Sequence, residues 1–232
     1  MKSKNKPPRW LVSDGRYQEW LKHVFDRPEC NQGWFFETDD PGFDANRETL
    51  MELVTRTFTL AGTDLVAYSD KQVNDGIKYL IYSGCSDIPF ALMDEAQPQT
   101  KRLELIDSIE NLYRDCFAKR CTPVLGHISE RSPSPLNDVC YMFWDISNLA
   151  YWEDPRHKDR SVTYAAIVNM LGKILRSENI ACIESALHGL GHIHSYALDV
   201  VESTIERFLK GQPNLPEKLL QYAHAASRGH VQ

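Results

Sequence analysis

Apolar residues recur at three- and four-residue steps along most of the chain, the spacing that places them on one face of an α-helix. Strand signals are confined to two short, weakly alternating stretches, TDLVAYS and TPVLGHIS. Helices are predicted at about 10–25, 44–60, 69–84, 99–119, 136–149, 161–176, 179–194, 198–210 and 216–228. The pattern therefore predicts an all-α protein of about eight to ten helices.

Polar residues and glycines mark where several of these helices begin and end. Asp44 is in a position to cap the second helix. The sequence SDKQ at Ser69 predicts a capping box, in which a serine and a glutamine satisfy each other's backbone N–H groups. Gly229 follows the last helix and predicts its C-terminal stop.

The domain organisation follows from composition along the chain. Residues 1–9 carry four basic residues and no acid, and we predict a disordered basic tail there. Residues 10–232 are predicted to form a single α-helical domain. A sub-domain break would fall at 122–138, where three prolines and three serines predict a loop.

Overall charge bears on the choice of partner. The chain of 232 residues is 42% hydrophobic and 25% charged, as in many soluble proteins, and its net charge is −6. Removing the four positive charges of the basic tail leaves −10 for the remainder. An acidic body repels nucleic acid, so a nucleic-acid partner is disfavoured and a basic protein partner is favoured.

Cysteine usage and the absence of long apolar runs indicate a compartment. None of the six cysteines forms a CxxC pair, and they are interpreted as small core residues with reduced thiols. No apolar stretch is long enough for a secretory signal or a membrane span, so we expect a cytoplasmic protein without a membrane partner. GxSxG, GxGxxG and GxxxxGK[ST] are absent, so no cofactor and no catalytic residue are predicted.

Residues 180–194 have two distinct packing faces on a helical wheel. One face is apolar, and the opposite face carries small residues, including Cys182, Ser185 and Gly189. A helix with these faces is expected to pack on two sides. Gly189 and Gly191 each cost a helix about 1 kcal/mol relative to alanine, so they predict a close approach of neighbouring groups.

This segment and the one after it carry a family resemblance. The stretch ACIESALHGLGHIHSYALDVVESTIERFLKG resembles a HEAT-type repeat, and the tail LPEKLLQYAHAASRGHVQ resembles the C-terminus of a group of bacterial HEAT-like proteins. The match covers about the last fifty residues. It implies stacked antiparallel helix pairs, a HEAT-like α-solenoid at least in the C-terminal part, and a surface that binds macromolecules; it implies no reaction.

The same segment contains a candidate metal site. Glu184, His188 and His192 lie at i, i+4 and i+8, and an i, i+4 histidine pair can share one metal ion. The stretch is not HExxH, so the general base of a zinc protease is absent. His194 falls on the apolar side of the wheel. The alternative is that His188 and His192 border a helix groove and hydrogen-bond to neighbouring turns.

A second candidate site is the aromatic and charged stretch MFWDISNLAYWEDPRHKDR. Trp144, Tyr151, Trp152 and Arg156 are the residue types enriched where partners bind most strongly, and they are predicted binding residues. The alternative is a core-facing aromatic helix followed by a solvated charged loop.

Three functional hypotheses follow. The first is a non-enzymatic protein that binds another protein, for example an immunity-type protein that neutralises a basic toxin. The second is a metal-dependent enzyme or metal sensor that uses His188 and His192. The third is a nucleic-acid-binding helical solenoid, which would require a basic groove on an acidic protein.

Overall fold

The computed structural model describes residues 10–36, 41–150 and 159–231, and this part of the chain is built from helices. The α-helices are α1 (Asp14–Phe25), α2 (Arg47–Thr59), α3 (Ala61–Asp64), α4 (Asp70–Ile81), α5 (Ile88–Leu92), α6 (Gln99–Leu112), α7 (Ala118–Arg120), α8 (Leu136–Ile146), α9 (Arg160–Ile174), α10 (Ile180–Ile193), α11 (Leu198–Gly211) and α12 (Glu217–Ala226). A π-helical turn, Tyr113–Phe117, joins α6 to α7. No strand occurs in the described ranges, and the all-α prediction is confirmed.

Two of the three residues predicted to mark helix ends, Ser69 and Gly229, are confirmed by the structure, and Asp44 is not. The capping box at Ser69 is present: Gln72 N donates to Ser69 Oγ at 3.1 Å, and Ser69 N donates to Gln72 Oε1 at 3.0 Å. Gly229 has a positive φ of 70° just after α12, which confirms the predicted stop. The prediction of Asp44 as the α2 cap is wrong, since Asn46 accepts the capping hydrogen bond from Thr49 N at 2.8 Å.

One continuous hydrophobic core joins helices from both sides of the 122–138 loop. Helix α10 lies at its centre and contacts α8, α9, α11 and α12. Its residues from Ala181 to Gly191 are all buried, which confirms the expectation that this helix packs on more than one side.

The two glycines of α10 lie where neighbours approach closely. A Cβ atom at Gly189 would lie 2.8–2.9 Å from three ring atoms of Trp144 on α8. A Cβ atom at Gly191 would lie 2.5 Å from Val231, which follows α12. Both distances are shorter than real Cβ contacts, so these positions exclude any side chain unless the neighbours shift.

The predicted basic tail, residues 1–9, lies outside the described residues. Within the described part of the chain, no helix combines the length and the apolar character needed to cross a membrane.

Candidate metal centre

Two histidines of α10 and one aspartate of α8 bring their side-chain donor atoms together. His188 Nε2 lies 2.8 Å from Asp145 Oδ2, and His192 Nε2 lies 3.0 Å from Asp145 Oδ1. The two Nε2 atoms are 2.9 Å apart. Among the residues that the structure describes, no other group of three histidine, cysteine, aspartate or glutamate side chains clusters closely enough to share a metal ion.

Packing between α8 and α10 places the aspartate beside the histidines. Gly189 follows His188 in the chain, and Trp144 precedes Asp145. Because Gly189 has no side chain, the buried Trp144 ring can lie against the α10 backbone. Ser185 reinforces the same contact one turn away, where its Oγ donates to the Cys140 carbonyl at 2.5 Å. Close approach of the helices therefore brings Asp145 into reach of both imidazoles.

Asp145 is an ionised carboxylate that lies where two helix ends meet. Burial opposes ionisation of Asp145, but hydrogen bonds and attraction from His188 and His192 outweigh it and hold the pKa of the carboxyl well below its usual range. Asp145 and His192 each lie one residue before the end of their helix. The C-terminal end of a helix carries partial negative charge, so two such ends add to the attraction for a positive ion.

The cluster is buried on one side and open on the other. The His188 side chain has no solvent exposure, whereas the side chains of His192 and Asp145 are 21% and 28% exposed. An ion bound here would be anchored by a fixed imidazole and would keep a solvent-facing side. Open coordination positions of this kind distinguish catalytic metal sites from closed structural ones.

Behind the cluster, aromatic residues hold His188 in place. The Tyr222 hydroxyl of α12 lies 2.5 Å from His188 Nδ1, the ring nitrogen that points away from Asp145. Desolvation by burial and a hydrogen bond with Tyr141 raise the pKa of Tyr222 far above its usual value, so this hydroxyl is neutral. The ring of Tyr141 packs against His188 with centroids 4.9 Å apart.

Glu184, predicted as part of the metal-binding stripe, lies in a different interaction. Its buried carboxylate accepts hydrogen bonds from the backbone N–H of Gly126 at 2.7 Å and of His127 at 3.0 Å, and it contacts His127 Nδ1. These donors hold the 122–138 loop against α10. The structure therefore places Glu184 outside the cluster, and Asp145 lies beside the two histidines instead. His194 also lies outside the cluster, with its Nε2 3.5 Å from Glu202 Oε1.

The separations between donor atoms fit a single small cation. Imidazole nitrogens and carboxylate oxygens bind zinc at about 2.0–2.2 Å, so two ligand atoms of one ion lie about 3.0 Å apart at right angles and about 3.4 Å apart at the tetrahedral angle common for zinc. The three observed separations range from 2.8 to 3.0 Å. In ligating histidines the second ring nitrogen usually donates to a fixed acceptor, and Tyr222 occupies that position for His188.

The predicted partner-binding residues are placed differently. Trp144 is fully buried against Gly189, so it lies in the core and is not a surface contact residue. Its position matches the alternative of a core-facing aromatic helix. Tyr151, Trp152 and Arg156 lie outside the described residues.

Comparison with known proteins does not place the chain in a family. No protein-family model matches it, and no curated protein or solved structure matches it. The assignment of the site therefore depends on the geometry of Asp145, His188 and His192.

Proposed function

We propose that this protein binds a divalent transition-metal ion through Asp145, His188 and His192. The observation that supports the proposal is the convergence of two imidazole nitrogens and one carboxylate within 3.0 Å of each other. Two imidazole Nε2 atoms at 2.9 Å can share at most one hydrogen bond, whereas one ion between them would accept a lone pair from each. This role corresponds to the metal-dependent enzyme or metal sensor that the histidine spacing indicated.

The ligand set restricts the metal and its chemistry. Imidazole with carboxylate suits zinc, iron(II), nickel or manganese better than calcium or magnesium, which prefer oxygen ligands alone. Three protein ligands leave room for water, and a bound ion would supply Lewis acidity that makes such water a stronger acid. Tyr141 and Glu184 line a separate cavity of about 320 Å³, and several of its other lining residues, such as Asn137 and Asp138, have polar side chains. A small polar substrate would fit there if the protein is an enzyme.

The experiment is metal titration of protein stripped with chelator. Zinc or cobalt(II) should bind at one ion per chain, and the cobalt complex should show visible absorption bands of a nitrogen- and oxygen-ligated ion. His192→Ala and Asp145→Asn should each weaken binding by a hundredfold or more, since each removes one of three ligands. His224→Ala removes an exposed histidine of α12 and serves as the matched control. Substoichiometric binding by the wild type, or unchanged affinity in His192→Ala, would refute the proposal.

We also propose that α9 to α12 stack as HEAT-type helix pairs. In support, α10 packs against α9 and α12, and α11 packs against α9 and α10. A macromolecular partner, including a basic protein, remains the prediction that goes with such stacking. Cytoplasmic location is likewise a prediction; the six cysteines, all within the described residues, form no disulfide with one another. Pull-down at low salt that recovers no specific protein would remove support for the partner.

A further inference from the structure

We propose that metal binding at Asp145, His188 and His192 is coupled through Tyr222 to the docking of α12, so that α12 is the part of the protein that responds to the metal. This inference rests on the proposed function and adds its regulation. The geometry that carries it is one contact: the Tyr222 hydroxyl of α12 lies 2.5 Å from Nδ1 of the buried ligand His188.

Tyr222 is held in a fixed position by the His127 ring, which stacks on it, and by the buried residues of its own helix. Its ring stacks on the His127 ring with centroids 4.2 Å apart, and His127 is in turn held by the buried carboxylate of Glu184. On α12 itself, Leu219 and Ala223 are fully buried beside Tyr222. The hydroxyl therefore reaches His188 only when α12 is docked.

The proton on His188 links that hydroxyl to the metal. A histidine that ligates through Nε2 must offer a lone pair there, so its proton lies on Nδ1 and is donated to the Tyr222 oxygen. Without metal, Nε2–H can donate to Asp145, and the Tyr222 hydroxyl can then donate to Nδ1. Tyrosine serves both arrangements because it is donor and acceptor. When α12 is undocked, the Nδ1–H group of a metal-binding His188 has lost the Tyr222 oxygen that accepts its hydrogen bond.

Thermodynamic linkage gives the coupling in both directions. Losing the acceptor behind a ligating histidine typically weakens metal binding by about 10- to 100-fold. The metal must then strengthen the docking of α12 by the same factor, because coupling between two equilibria is reciprocal. Helix α12 is a single element of 10 residues, and proteins can open locally, element by element, at a lower free energy than global unfolding.

Contacts after α12 extend the coupling to the other end of the site. Val231 packs over Gly191, the residue before His192. Gly229 lies close to the ring of His194, which is the second residue after His192. Undocking of α12 would therefore uncover the α10 backbone on both sides of His192.

Hydrogen exchange followed by mass spectrometry tests the coupling on the whole chain. Metal-free and zinc-saturated protein are compared at residues 217–226, with α1 as an internal reference because it packs against α2 and α4 and not against the site. We expect zinc to slow exchange in α12 about tenfold or more while α1 changes little. Tyr222→Phe should bind zinc about 10- to 100-fold more weakly, and at zinc saturation most of the slowing in α12 should be lost.

Tyr113→Phe is the matched control. It removes another buried tyrosine hydroxyl that bonds to α10, at Ser185 (2.7 Å), which lies about one helical turn before His188 and is not one of the proposed ligands. It should keep both zinc affinity and the slowing in α12. Zinc binding by the wild type with unchanged α12 exchange, equal slowing of α1 and α12, or full zinc affinity in Tyr222→Phe would each overturn the coupling. Failure of the wild type to bind zinc would instead overturn the proposed function.

Discussion

Replacing Gly189 with alanine tests how α8 and α10 are held together. In an unobstructed helix the change would stabilise the protein by about 1 kcal/mol, because alanine is the better helix former. Here the new methyl group would lie 2.8–2.9 Å from three atoms of the Trp144 ring, which is fully buried. Overpacking of a dense core costs about 1–3 kcal/mol net, and we expect a loss of about 2 kcal/mol.

Urea denaturation followed by circular dichroism measures this loss, and thermal denaturation should show the midpoint lowered by about 4–8 °C. Gly172→Ala in α9 is the matched control. Its added Cβ would meet only Thr204 Cγ2, at 3.4 Å, so most of the gain of up to about 1 kcal/mol should remain. If Gly189→Ala proves as stable as the wild type, the close contact with Trp144 does not constrain the fold and the reasoning is refuted.

Three further changes probe other parts of the molecule. Ser69→Ala removes the capping box of α4 and should cost about 1 kcal/mol in urea denaturation; no loss would contradict the cap. Burial raises the pKa of the Cys85 thiol to about 12 from a usual value of 9.0. At pH 8 the thiolate fraction of Cys85, and hence its rate of reaction with a thiol reagent, should be about 1000-fold lower in the folded protein than in the unfolded protein, and the rate should rise with pH. Equal rates for Cys85 in the folded and unfolded protein would disprove this. Arg102 Nη2 lies 2.6 Å from the Asp159 carboxylate, and Arg102→Leu removes this partner. The change should lower the free energy of unfolding by about 3 kcal/mol, whereas a loss under about 1 kcal/mol would show that water replaces the arginine.

The helices were predictable because their signals are local. A capping box such as that at Ser69 is complete within four residues, and apolar spacing defines each buried face without knowledge of the rest of the chain. The sequence pattern puts the cap of α2 two residues early because Asp44 and Asn46 are both good capping residues. Only the path of the loop that enters the helix decides between them.

Two residues of the cluster, His188 and His192, are predictable from the sequence and Asp145 is not, for a geometric reason. Residues four apart on a helix are about 40° apart around its axis, so His188 and His192 share a face, but Glu184 is about 80° from His192. That rotation turns Glu184 towards the 122–138 loop and leaves the third position to another helix. Asp145 supplies it from α8, at a distance of 43 residues from His188, and no local pattern in the sequence pairs those two helices.

The glycines and the histidines of α10 were competing explanations of one stretch, and the structure makes them parts of the same arrangement. Gly189 allows the Trp144 ring against the α10 backbone, and the next residue after that tryptophan is the third member of the cluster. Gly191 admits Val231, which follows the helix that carries Tyr222. Gly189 thus allows the close approach of α8, which brings Asp145 to His188. Gly191 allows the close approach of the residues after α12, the helix that brings Tyr222 to His188. Packing of small residues is the means by which side chains distant in sequence come within hydrogen-bonding distance of the buried imidazole.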